Sequence, residues 1–440
     1  MKRVLFLTGL ILLTAGFAFA GGSSEKSSTA PATAAGGKTG GTVSMLAVWG
    51  GNELDIFNSM IKPFEEKTGI KVQYEGTRDL DAVLTTRVQA GNPPDLASMP
   101  GPGKMAEFAN QGKLVDLSSV LDMATMKNDY APGWLNLGTV NNKLVGIFMK
   151  ASLKGLVWYD PKSFSATGMS IPTTWDQLMQ ESQQLADKGV TPWAVGLESG
   201  AASGWPGTDW LEEIFLKMYG PQLYQQWYEG KLAWTSPQVK KVWETWGKIV
   251  ANAKMIYGGS QYVLSTNFGS AFNPIYQTPP KAYFLLQATF IQSFIQKAFP
   301  DLKPESDINF FAFPQIDPQY AKSAEVAGDL VSVFNKTPQS QALVKYFTTA
   351  DAQAYWVKGA DGASPNRQVP LADYPDALSK NAAQVLTGAD ITVFDASDMM
   401  PSKMNNAFWQ ACMNYVSNPG DLDSILAHLD QVQKDAYSSN

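Results

Sequence analysis

The chain has 440 residues, with 34 Lys or Arg against 40 Asp or Glu, and a single His and a single Cys. A mildly acidic balance argues against nucleic acid or anionic membrane surfaces as partners. With Cys412 and His428 alone of their kind, no internal disulfide can form, and Ser-His-Asp, Cys-His and multi-histidine metal chemistry are disfavoured.

The first twenty residues read as an export signal. Lys2 and Arg3 precede an apolar run from Val4 to Leu13, and Ala18-Phe19-Ala20 is a small-x-small cleavage site. The run is too short for a permanent membrane anchor, and residue 21 is Gly rather than a lipid-accepting Cys. A periplasmic protein without a membrane anchor is expected. Residues 21–41 are nearly all Gly, Ser, Thr, Ala and Pro, a flexible leader that cannot bury enough apolar surface to order itself. Its GGKTG lacks the preceding strand and the upstream Gly of a phosphate-binding loop. About 400 residues remain, a length that suits two domains better than one core.

Strand-like and helix-like patterns then alternate. VSMLAVW (43–49) reads as a buried strand. Leu54, Phe57, Ile61 and Phe64 recur at helical spacing, with a kink expected at Pro63. Gly69 ends that helix, and IKVQYE (70–75) is the next strand. DLASM (95–99) is a short strand before the helix KMAEFANQ, and LVGIFM (144–149) and KGLVWYD (154–160) are further strands. Thr174 and Gln177 form a capping box for a helix ended by Gly189, and WAVGL (193–197) is a strand. Alternation of this kind gives α/β sheets covered on both faces, with ligands at strand ends. ASGWPGTDW (202–210) lies just past such an end and reads as a loop carrying two indoles and a carboxylate. His428 is expected on a helix, partly exposed.

Several stretches resemble, in order, the extracellular sugar-binding proteins of bacterial ABC importers, the broad group that includes maltose-binding protein. They are LAVWGGNE (46–53), FEEKTGIKV (64–72), GNPPDLASMPG (91–101), NNKLVGIFMKASLKGLVWYDPKSF (141–164), IPTTWDQL (171–178), VAGDLVSVFNKTPQ (326–339) and MPSKMNNAFWQA (400–411). SGAASGWPGTDWLEEIFL, FDASDMMP and PPKAYFLLQA look most like its α-glucoside branch. The resemblance implies a two-lobed type II periplasmic binding protein fold, each lobe a sheet flanked by helices, with the ligand cleft between them and closed by a hinge. Residues 42–150 with 331–365 would form lobe 1, and 151–330 with 366–440 lobe 2. It further implies a monomer that needs no cofactor, binds a sugar and hands it to ABC permease subunits. Pro100-Gly101-Pro102-Gly103 departs from the maltose-binding pattern, so that backbone N–H groups at a helix start would meet the sugar there.

A sugar ring stacks its C–H faces on Trp or Tyr, while its hydroxyls need directional partners. Hydrogen bonds to charged groups contribute about 1.5–3 kcal/mol each. On this basis Trp205 and Trp409 are stacking residues and Asp209 a hydroxyl partner, with Trp210 and Phe408 assigned to core. Trp49 ends the first strand, where core and cleft are equally open. Glu53 fits the cleft or a helix dipole. Asp329 interrupts an apolar strand, which calls for a ligand hydroxyl or a structural hydrogen bond. Lys154 fits the sugar or the hinge, Gln287 the cleft, Asp95 its own loop or the ligand, and Arg367 the cleft or solvent. Asp398 is preferred over Asp395, although the two are not separable from sequence. No metal ligands are identified. The rival function is a secreted glycoside hydrolase, but no acid pair is spaced for one glycosidic bond. A different oligosaccharide or a polyol in the same cleft is the nearer alternative.

Overall fold

The computed structural model describes residues 39–438. The export signal and most of the leader lie outside the described residues. The leader's last glycines are held in place, because Gly40 N–H donates to Thr68 O at 3.1 Å and Gly41 O accepts from Lys71 N–H at 2.8 Å.

The strands are β1 (Thr42–Ala47), β2 (Lys71–Gly76), β3 (Leu96–Met99), the short pair β4 (Thr139–Val140) and β5 (Lys143–Leu144), and β6 (Ile147–Leu153). They continue with β7 (Leu156–Tyr159), β8 (Leu285–Gln287), β9 (Asn309–Ala312), β10 (Ser323–Val333) and β11 (Ile391–Phe394). One six-stranded sheet runs β11-β10-β3-β1-β2, with β6 also paired to β10; a second, antiparallel sheet runs β8-β7-β9. β1 is parallel to β2 and β3, whereas β10 is antiparallel to both β3 and β6. Parallel strands need helices on their faces. The helix Gly51–Thr68 supplies one, burying Phe57, Met60, Ile61 and Phe64 and stopping at left-handed Gly69. It runs through Pro63.

Only Lys154 and Gly155 separate β6 from β7, so the chain leaves one sheet and enters the other within two residues. Around the larger sheet, Trp49, Phe57, Leu96, Ile147, Val331, Phe347 and Trp356 share one apolar cluster. A larger cluster joins Val157 to Trp193, Trp210, Trp243, Trp246 and Phe408. Trp210 and Phe408 are therefore core, while His428 is exposed on the helix Leu422–Tyr437.

Three local expectations change. WAVGL forms isolated bridges from Trp193 to Ile256 and Phe284 rather than a strand. Gln177 N–H does donate to Thr174 Oγ1, but Gln177 Oε1 accepts from Thr173 N–H, one residue earlier than a capping box requires. WPGTDW is the first turns of the helix Trp205–Tyr228, not a loop, because Pro206 at a helix start lacks only an N–H that would be unpaired there anyway.

Candidate functional site

A cavity of about 460 Å³ opens between the two sheets' surroundings, within the roughly 300–1,000 Å³ usual for small-molecule sites. Two groups of buried charges and four aromatic rings line it.

The first group is built on β10 and β6, where Asp329 lies opposite Lys150 beside a register shift. The Lys150 ammonium is 2.8 Å from Glu53 Oε1 and 3.9 Å from Asp329 Oδ2, and it also bonds Asp361. Glu53 sits in the first turn of its helix and takes a second partner, Arg78 Nη2 at 3.3 Å. Burial pushes the Glu53 carboxyl up, but Lys150 and Arg78 outweigh it and hold the group below its usual range. Burial raises Asp329 above its ordinary value against Lys150, and takes Asp361 to about 7.

The second group surrounds Lys154, just past β6. Its ammonium is 2.7 Å from Asp209 Oδ1 and 3.1 Å from Asp395 Oδ2. Asp209 arrives on the first turns of Trp205–Tyr228, and Asp395 caps the short helix Ala396–Met399 by accepting from Asp398 N–H at 3.1 Å. Burial, with Asp395 nearby, takes Asp209 to about 7 despite Lys154. Burial also opposes ionisation of Asp395, yet Lys154 and a bond from Glu212 keep it low. Glu212, Glu325 and Asp398 are pushed well up, first by burial and then by neighbouring carboxylates. Asp209, Glu325 and Asp395 bring oxygens within 4.8 Å of one another, a spacing that suits a cation. The cation held beside them is the Lys154 ammonium.

Aromatic rings complete the lining. Trp205 meets Phe268 edge-on at 5.0 Å and Phe290 at 6.0 Å, and the Lys154 ammonium lies 5.0 Å from its ring centre. Trp409 comes from the helix Ser402–Ser417, and its indole N–H has no hydrogen-bond partner among the described residues. Gly204, the residue before Trp205, has φ +109° and packs so closely on the Trp409 backbone that a Cβ would lie 2.1 Å from its carbonyl oxygen. Only glycine permits that approach, which brings the two tryptophan-bearing helices together.

Of the residues expected at the site, Glu53, Lys154, Trp205, Asp209, Asp329, Asp398 and Trp409 line this cavity. Asp395 lines it as well. Four do not, and each has a structural engagement. Trp49 is buried against Phe57 and Trp356 and donates its indole N–H to Asp329 Oδ2 at 3.0 Å. Asp95 accepts from Ser44 N–H at 2.8 Å and Ser44 Oγ at 2.9 Å, tying β1 to the start of β3. Gln287 turns its amide oxygen back to Ala288 N–H. Arg367 donates to the carbonyls of Lys127, Asn128 and Tyr130, closing the end of the helix Met123–Asp129. At the helix start after Pro100 the Asp398–Met400 backbone packs closely: a Cβ on Gly101 would lie 2.6 Å from Asp398 O, and one on Gly103 2.1 Å from Met400 O.

Sequence reasoning missed Arg78, Lys150, Phe268 and Phe290. Lys150 carried a legible signal, a lone charge in the apolar run IFMKASL, the same signal that marked Asp329. Arg78 carried none.

Two sheets joined by a two-residue crossing beside a solvent-reached, charge- and aromatic-lined cavity define a two-lobed binding receptor. A chitin oligosaccharide binding protein shares this fold with a TM-score of 0.79 at 19% identity, covering 90% of this chain and 99% of that one. The family model for bacterial extracellular solute-binding proteins matches residues 50–354. The osmoprotective compounds-binding protein GgtB of Synechocystis sp. is 38% identical over 377 residues, 85% of this chain and 88% of that protein. The alpha-glucosides-binding periplasmic protein AglE of Rhizobium meliloti is 31% identical over 395 residues, 87% and 85% respectively. The chain belongs to the bacterial extracellular solute-binding proteins, with the type II periplasmic binding protein fold, and serves ABC import as a receptor rather than an enzyme.

Proposed function

We propose that the cavity captures α-linked disaccharides or short α-glucosides. The observation that carries this is the meeting of Trp205 and Trp409 in one cavity with Glu53, Asp209, Asp329 and Asp398. Rings of this kind offer flat faces to a pyranose, and the acids offer both acceptors and, where burial keeps a proton on, donors. The name of AglE, which binds alpha-glucosides, supports the same ligand class. Several charge-assisted hydrogen bonds at about 1.5–3 kcal/mol each and two stacks can exceed the roughly 8 kcal/mol of a micromolar complex after ordering costs. Lobes of 42–150 with 331–365 and of 151–330 with 366–440 would close on the sugar, because contacts from both sides exist only when they meet. The protein would act in the periplasm as an unanchored monomer, after removal of its first twenty residues.

A smaller osmoprotective solute is the second reading, favoured by the 38% identity to GgtB. Calorimetric titration of residues 42–440 with trehalose, sucrose, maltose, cellobiose and glucose separates the readings. Saturable micromolar or tighter binding of an α-linked disaccharide, with the sugar recovered intact, is expected. No heat with any of them would reject the α-glucoside assignment.

A further inference from the structure

Arg78 belongs to the short segment between β2 and the helix Leu80–Gln89, and thus to the edge of the six-stranded sheet. Its guanidinium does two things at once. Nη2 pairs with Glu53 Oε2 at 3.3 Å, and Cζ stands 5.0 Å over the ring of Phe268. Phe268 opens the turn Phe268–Ser270, which lies in the chain between β7 and β8 of the second sheet, and packs on Phe290 and Phe294. The backbone of Gly200 also closes on the same arginine, since a Cβ there would lie 3.4 Å from Arg78 Cβ. Phe268 in turn meets Trp205 edge-on at 5.0 Å, and Lys154 lies against the Trp205 ring. A continuous series of contacts therefore runs from Lys150 through Glu53, Arg78, Phe268 and Trp205 to Lys154.

The pairing suits the shape of arginine. A planar guanidinium directs an edge at the Glu53 carboxylate while laying its face on the Phe268 ring. An ammonium, although Lys154 meets carboxylates and a ring at once, is a point charge with no plane to hold two such partners in a fixed relation. Glu53 is already anchored by Lys150 at 2.8 Å, so it offers Arg78 a fixed point. The arginine side chain remains one-third exposed, at the rim of the cavity rather than in its depth, which fits a fastening between two sides better than a fold-forming core contact.

We infer that Arg78 is a positioning residue for the ligand site, fastening the Phe268–Trp205 wall to Glu53 so that the Trp205 face is set only when both sides have come together. This rests on the capture reading only for the identity of the ligand.

The test measures closure without a ligand and then with one. Spin labels at Lys62→Cys and Gln184→Cys, both exposed sites on separate helices, report the separation of the two sides by pulsed dipolar spectroscopy. Native Cys412 is buried and stays unlabelled. Ligand-free wild type should show a short-distance fraction. Arg78→Ala and Phe268→Ala should each reduce it at least fivefold, and the double variant no further than either single. Arg78→Lys, which keeps the charge, should behave like Arg78→Ala. With a sugar that binds, Arg78→Ala should raise koff about tenfold and leave kon within twofold. An unchanged short-distance fraction in Arg78→Ala, a wild-type response in Arg78→Lys, or a wild type with no short-distance fraction in any condition would each overturn the inference. Failure of trehalose, sucrose and maltose to enlarge the wild-type short-distance fraction counts against the α-glucoside reading instead, and the ligand-free comparison still decides Arg78.

Discussion

Lys150 and Lys154 stand four residues apart, on β6 and just beyond it, and their ammonium groups neutralise two separate sets of buried carboxylates. Lys150 holds Glu53, Asp361 and Asp329, and Lys154 holds Asp209 and Asp395. The crossing between the sheets thus carries the counter-charges for acids on both sides of the cavity.

Replacing Lys154 by Met keeps the volume and removes the charge, leaving Asp209 and Asp395 buried without a counter-ion. Breaking one partner of a buried pair costs about 3–5 kcal/mol. The expected loss in urea unfolding is near the upper end at pH 8 and smaller at pH 5, where Asp209 can take up a proton. Equal losses at the two pH values would show that the charge is not what Lys154 contributes.

Stability of the ligand-free protein should fall as pH rises from about 4 to about 7. Asp209 and Asp361 ionise near 7 in the folded chain, each raised by burial from an ordinary 3.8. Between those values the folded state holds protons that the unfolded state has released, so unfolding becomes easier with increasing pH. The limit is about 1.4 kcal/mol per pH unit for each such proton. Urea midpoints at pH 5 and 7 check the sign, and a rise toward pH 7 would contradict it. Glu53 and Asp395, both held low, act in the opposite sense only in more acidic solution.

Trp205→Ala and Trp409→Ala should each weaken binding of an α-linked disaccharide by roughly 2 kcal/mol, the scale of an aromatic hot spot, or about thirtyfold in Kd. Calorimetry gives the affinity, and the ligand-free Tm checks the fold. A Trp409→Ala variant with unchanged affinity would remove that ring from the site.

Arg367→Ala should behave oppositely. It loses three bonds to carbonyls at the end of Met123–Asp129, so a decrease of about 1–2 kcal/mol in unfolding free energy is expected, with sugar affinity within twofold of wild type. A large affinity loss without destabilisation would bring Arg367 back to the ligand.

Much of this architecture was legible beforehand. Periodicity located β1, β2, β3, β7 and their helices, because alternating or continuous apolar runs leave few ways to be buried. Trp205 and Asp209 were found because indoles and a carboxylate among turn-making residues are unusual. Their backbone is not legible in the same way, since Gly and Pro suggest a loop, whereas Pro206 stands at a helix start. Trp49 was undecidable for another reason. Its neighbours Phe57, Tyr74 and Trp356 come from three separate segments, and nothing local indicates that they surround it.

The linear chain determined the kinds of element, their order, and the supply of rings and carboxylates, because these depend on side-chain chemistry and on spacing within a few residues. Which carboxylate meets which lysine, which tryptophan is core, and where Arg78 reaches were decided only by the tertiary structure. Those outcomes depend on contacts such as Arg78 with Phe268 or Lys154 with Asp395, between residues far apart in sequence, and no local pattern encodes so distant a meeting.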